Sequence, residues 1–133
     1  MWQYLEANAL AESLKKNPNS VLVIDVREDD FEGGNIVGAL NHPAGYFSHL
    51  TAQAILEVWQ EGQEVVFHCM KSQVRGPTCA SFFDDYVASK TDVTLSVRVL
   101  QHGFEYFVAK YGRDPTLVEN YQANVRIPMI YVR

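Results

Sequence analysis

The sequence predicts an α/β fold in which a central, mostly parallel sheet is flanked by helices on both faces. Three observations predict it. Val21–Asp25 and residues 65–67 (Val-Val-Phe) are short continuous apolar runs, as expected of strands covered on both sides. Stretches with helical spacing, at 48–60 and 77–89, alternate with these runs. Glycine and proline mark the joints, at Gly62, Gly76-Pro77 and Gly103.

Taken in order, residues 8–16 form a short surface helix, with Leu10 and Leu14 one turn apart, Asn8 as its cap and Asn17-Pro18 as its stop. The strand at Val21–Asp25 leads into a polar stretch that ends at Gly33-Gly34. Residues 36–40 predict a second short strand, and His42-Pro43-Ala44-Gly45 a loop. From 48 to 60, Leu50, Ala54, Ile55, Val58 and Trp59 make one apolar helical face that Gly62 ends. After the strand at 65–67, the helix at 77–89 aligns Cys79, Phe82, Phe83, Tyr86 and Val87. A strand at 94–100, a turn at Gln101-His102-Gly103 and a helix at 104–110 complete the alternation. Residues 124–133 alternate in part but contain Pro128, which allows an edge strand or an extended arm.

At 133 residues the chain has the size of one domain, read as 1–112 with 113–133 as its extension. The formal net charge of −5 and the lack of a basic run argue against nucleic acid as a partner. The two cysteines, Cys69 and Cys79, read as separate thiols in a reducing compartment, since they form no disulfide framework. Four histidines (42, 49, 68, 102) are scattered and no Cys-X2-Cys exists, so no metal site is expected. The N-terminal residues lack a basic region followed by an apolar one, and no apolar run reaches membrane-spanning length. The expectation is a soluble cytoplasmic or nuclear protein with no membrane association.

The chemistry concentrates where the strand at 65–67 ends. His68-Cys69 opens a loop that closes at Arg75-Gly76-Pro77, and Pro77 suits a first helical turn because its missing N–H would be an orphan there. A loop leading into a helix N-terminus presents unpaired backbone N–H groups and a positive dipole end to one small volume, which is an oxyanion cradle. The backbone of Met70, Lys71, Ser72, Gln73, Val74 and Arg75 would line it. The same surroundings stabilise a thiolate, so Cys69 is the candidate nucleophile. Arg75 brings a planar fork matched to two oxygens of a tetrahedral anion. The competing reading is a buried structural cysteine; strand, His-Cys, five residues, Arg-Gly-Pro and helix together weigh against it. Cys79 reads as core, with a resolving thiol as its alternative.

These residues resemble a known family. Val23-Ile24-Asp25-Val26-Arg27, Glu32-Gly33-Gly34-Asn35-Ile36, His68-Cys69-X5-Arg75-Gly76-Pro77 and Leu100-Gln101-His102-Gly103-Phe104 are similar to a rhodanese-fold domain, over roughly residues 5–110. More narrowly they resemble the single-domain relatives of the M-phase inducer phosphatases, which include eukaryotic arsenate reductases. The resemblance implies a rhodanese-like three-layer sandwich and an enzyme in which Cys69 attacks phosphate, arsenate or phosphotyrosine. It also implies supporting roles for His68, Asp25, Arg27 and His102, no bound cofactor, and glutathione or glutaredoxin as electron donor for a reductase. The loop is one residue longer than sulfurtransferases of this fold usually carry, which favours phosphate or arsenate.

Departures narrow the reading further. The M-phase inducer phosphatases carry glutamates within the loop as proposed proton donors, where this chain has Met70 and Val74. Arsenate reduction demands less of such an acid, which favours arsenate reductase over a protein-tyrosine phosphatase. A phosphatase would need its acid from Asp29, Asp30, His102 or the substrate. The alternatives are that phosphatase, a phospho-binding module without turnover, and a thiosulfate sulfurtransferase. Ser72 is expected to donate a hydrogen bond to the thiolate or to ease its departure, and Lys71 to add positive potential or face solvent.

Overall fold

The structure is a computed structural model that describes residues 1–90 and 92–122. Five strands build the central sheet: β1 (Gln3–Leu5), β2 (Val21–Asp25), β4 (Leu40–Asn41), β5 (Glu64–His68) and β6 (Ser96–Leu100). Their spatial order is β1-β6-β5-β2-β4, and every pair is parallel. Two further strands, β3 (Asn35–Ile36) and β7 (Val118–Glu119), form a separate antiparallel pair. The helices are α1 (Ala7–Lys16), α2 (His49–Val58), α3 (Arg75–Ala88) and α4 (Gly103–Tyr111). The predicted α/β sandwich is therefore the observed one.

Side chains of the central strands alternate between two cores. Val66, Val23 and Leu100 join Leu10 and Leu14 of α1 and Phe104 and Phe107 of α4. Val65, Phe67, Ile24, Val97 and Val99 join Ile55 of α2 and Phe83 of α3 on the other face. A strand covered on both sides needs no polar alternation, which is why β2 and β5 read as continuous apolar runs.

Several local expectations need correction. The N-cap of α1 is Glu6 and not Asn8, which lies inside the first turn. The predicted strand at 36–40 divides into β3 and β4 of different sheets, because the chain turns between them at Gly38, whose φ is +77°. In α2 the inward residues are Ala52 and Ile55, whereas Leu50 and Val58 are 77% and 53% exposed. Ser48 begins that helix: its Oγ accepts the Leu50 N–H, and its own N–H donates to Thr51 Oγ1. Helix α3 starts two residues before Pro77, so Arg75 and Gly76 belong to its first turn. Strands β1 and β7 had no counterpart in the sequence reading, since strands of two or three residues carry no usable period. The alternation at 124–133 lies outside the described residues.

Candidate active site

Strand β5 is flanked by β2 and β6, and Cys69 is the first residue beyond its carboxyl end. In an open parallel sheet this edge is where ligands bind. Phe67 and His68, in register with Ile24 and Asp25 of β2, fix where the chain leaves the sheet. The Cys69 Sγ accepts two backbone hydrogen bonds, from the Ser72 N–H and the Gly76 N–H, each at 3.2 Å. The first exists because Ser72 adopts φ +57°, a left-handed turn that points its N–H inward. The second comes from the first turn of α3. Both N–H groups direct their positive ends at the sulfur, which favours negative charge there.

The Ser72 hydroxyl plays no part in this. Its Oγ is buried and makes no hydrogen bond among the described residues, so the thiolate contact expected of the side chain is made by the backbone.

The loop is tied from behind by α4. The Phe104 N–H donates to the Cys69 carbonyl at 3.0 Å and the Glu105 N–H to the Met70 carbonyl at 2.9 Å. His68 adds a third tie, its Nδ1–H donating to the Cys69 carbonyl at 3.0 Å. Burial lowers the His68 pKa, against the opposing charge of Asp25, so the ring is held towards its neutral form and braces the loop. Its Nε2 lies 3.5 Å from Asp25 Oδ2.

Asp25 and Arg27 form a fully buried ion pair, with Nη2 to Oδ2 at 2.8 Å. The Arg27 guanidinium also stacks 4.1 Å above the Phe104 ring and donates to the carbonyls of Asp30 (2.9 Å) and Gly34 (2.8 Å). A buried pair is tolerable when its remaining donors are satisfied, as here. Through those carbonyls Arg27 holds the 28–34 segment against the site.

That segment changes the picture of Arg75. Its Nη1 and Nη2 donate to Asp30 Oδ1 and Oδ2 at 3.1 and 2.8 Å, and Nη1 also donates to Glu28 Oε1 at 3.1 Å. Three of the five guanidinium donors are thus committed, and the other two, on Nε and Nη2, have no hydrogen-bond partner among the described residues. Burial alone would raise the Asp30 pKa, but the hydrogen bonds and charge of Arg75 and the Glu28 N–H outweigh it and hold the carboxyl below its ordinary range. Arg75 is raised in turn, chiefly by its bond to Asp30.

A cavity of about 300 Å³ opens over the sulfur, lined by Asp30, Cys69, Met70, Lys71, Gln73, Val74 and Arg75. Of the three side chains expected to supply an acid, Asp30 lines it. His102 instead lines a separate cavity with Glu6, Gln101, Tyr106 and Lys110, and Asp29 a third one with Glu28, Glu32 and Asn35. Glu28 and Glu105 were missed from the sequence. The Glu105 carboxyl is buried behind the loop, and burial raises its pKa against the pull of Lys71. Cys79 is buried as expected, its thiol pushed up to about 12 by burial and by the charge of Cys69. Among the described residues no group of His, Cys, Asp and Glu is arranged to hold a metal ion, and no helix is long and apolar enough to cross a membrane.

Residues 6–110 match the model of the rhodanese-like domain. The chain belongs to that family. Its curated relatives divide between two chemistries of one cysteine fold. The rhodanese-like chain is 30% identical over 132 residues to dual specificity phosphatase ibp1 of Schizosaccharomyces pombe, covering 87% of this chain and 95% of that one. It is 35% identical over 94 residues to dual specificity phosphatase Cdc25 of Arabidopsis thaliana, covering 68% of this chain and 63% of that longer relative. Among solved structures, the As–Sb reductase from Leishmania major superposes with a TM-score of 0.76 at 32% identity, over 89% of this chain and 85% of that one. A cysteine-based phosphatase or reductase family is the level at which the rhodanese-like relatives agree.

Proposed function

We propose that this chain is a cysteine-thiolate enzyme acting on a tetrahedral oxyanion, with arsenate reduction as the activity that fits it best. The observation that carries the reading is the paired N–H bonding of Cys69 Sγ in a cavity that Arg75 also lines and whose one carboxyl lining residue among those described, Asp30, is kept ionised by Arg75. Cys69 is the nucleophile. The backbone of residues 70–75 and the Nε–Nη2 edge of Arg75 bind the oxyanion, and His68, Asp25 and Arg27 brace the loop.

The lack of a protonated acid in the cavity lining among the described residues favours the reductase chemistry. Expelling an alkoxide or phenolate from a phosphate ester gains about 10² to 10⁴ in rate from a positioned proton donor. In arsenate reduction the Cys69 sulfur bonds to arsenic as hydroxide or water leaves. A second thiol, from glutathione or glutaredoxin, then attacks the Cys69 sulfur; the two sulfurs are oxidised to a disulfide and arsenic takes the electron pair as arsenite. That sequence needs no acid in the loop, and Met70 and Val74 offer none.

The test follows arsenate-dependent NADPH loss with glutathione, glutaredoxin and glutathione reductase, beside hydrolysis of an aryl phosphate, for the protein and its Cys69→Ser variant. Cys69-dependent reduction with feeble hydrolysis supports the reductase. Robust Cys69-dependent hydrolysis without reduction makes it a phosphatase. A Cys69 persulfide formed from thiosulfate would mean sulfurtransfer, and phosphopeptide binding without turnover a recognition module.

A further inference from the structure

Arg75 meets Asp30 across its Nη1–Nη2 end and Glu28 through Nη1, which leaves Nε and the second Nη2 hydrogen for the oxyanion of the proposed function. The charged groups around Asp30 come from every side of the cavity. Arg75 stands at the start of α3, Cys69 and Lys71 in the loop, and Glu28 and Arg27 donate to the Asp30 carboxylate and carbonyl. Arg75 and Lys71 bring two positive side chains to the lining and Asp30 one negative one; Glu28 lines the neighbouring cavity but bonds Arg75 Nη1 at 3.1 Å, so the side-chain charges of these four residues sum to zero. Attraction then comes from hydrogen bonding, by the backbone N–H groups of the cradle and the uncommitted Nε and Nη2 donors of Arg75, which bond any tetrahedral oxyanion.

We propose that Asp30 and Glu28 are specificity-determining residues that bias the Cys69 cavity towards singly charged tetrahedral oxyanions over doubly charged ones of the same shape. The proposal rests on the oxyanion reading of the site and adds its charge selectivity. A second negative charge on the ligand gains from Arg75 and Lys71 no more than it loses to the two carboxylates. A phosphate monoester passes between these charge states at about pH 6. The form that the cavity favours is the one that still carries a proton.

Perrhenate and tungstate make the test, being tetrahedral anions of similar size with one and two charges. Their dissociation constants are measured by calorimetry on Cys69→Ser protein, where no thiolate contributes, and on the same protein carrying Asp30→Asn, Glu28→Gln or both. The tungstate-to-perrhenate affinity ratio is expected to rise about tenfold in the double variant, and less in each single one, for carboxylates about 6 Å from the ligand in a water-like dielectric. A ratio constant within about twofold overturns the proposal. Equal loss of both anions also overturns it, assigning the carboxylates to orientation of Arg75. If neither anion binds the Cys69→Ser protein, the oxyanion reading falls and the proposal with it, so the two failures are told apart.

Discussion

Gly103 lies so close to Met70 that a Cβ on it would overlap the Met70 carbonyl and sit 2.8 Å from that of Cys69. With φ at +66°, it lets the first turn of α4 reach the two carbonyls of the loop. Gly103→Ala is expected to cost about 3 kcal/mol and to displace the loop, because backbone strain and overlap act together. Gly38→Ala has a similar φ of +77° but nothing within 4 Å of the added Cβ, and should cost about 1 kcal/mol. Urea unfolding of the two variants checks the difference.

Arg75 needs its planar shape as well as its charge. Lysine in its place would keep one positive charge but could not hold both oxygens of Asp30 while presenting a second edge to an oxyanion. Arg75→Lys should lower kcat/KM by about 10² to 10³, the scale for loss of an oxyanion donor. Steady-state kinetics on whichever substrate the reductase and phosphatase assays identify would measure it, with an unchanged denaturation midpoint as the control for folding.

His68 gives a pH prediction with a defined sign. Its folded pKa is below the ordinary 6.5, so below that pH the unfolded chain binds a proton that the native state does not. Its part of the stability is complete above pH 6.5 and declines as pH falls. His68→Asn keeps a donor for the Cys69 carbonyl and cannot titrate. Denaturant titrations from about pH 7 to 5 should give a flatter dependence for this variant.

The two cysteines should separate by reactivity. Both are 3% exposed, but Cys69 lines a cavity and its Sγ accepts two backbone N–H bonds, whereas the Cys79 thiol lines none of the cavities described and is pushed up to about 12. Mass spectrometry after native-state alkylation near neutral pH should find one adduct, at Cys69. The Cys69→Ser variant should remain unlabelled until it is denatured.

Much of the fold was legible because it is written in neighbouring residues. The limits of β2 emerged as read from their apolar run, and Cys69 stands at the carboxyl end of β5 as expected. Where residues far apart meet, the reading fell short. His102 follows the carboxyl end of β6, on the same sheet edge as Cys69, but with a left-handed φ of +67° its ring packs against Tyr106 and lines a separate cavity. Leu50 and Val58 satisfied a helical period without meeting the face that packs.

By itself the sequence determined the strand, loop and helix around Cys69, because strand burial, N–H orphans and the Pro77 turn depend on residues within a few positions of each other. Tertiary structure alone decided which charges surround Arg75. Asp30 and Glu28 stand 45 and 47 residues from Arg75, and only the parallel pairing of β2 with β5, with Arg27 anchoring the segment after β2, brings them to its guanidinium. No spacing rule encodes a contact whose partners approach through two strands of a sheet.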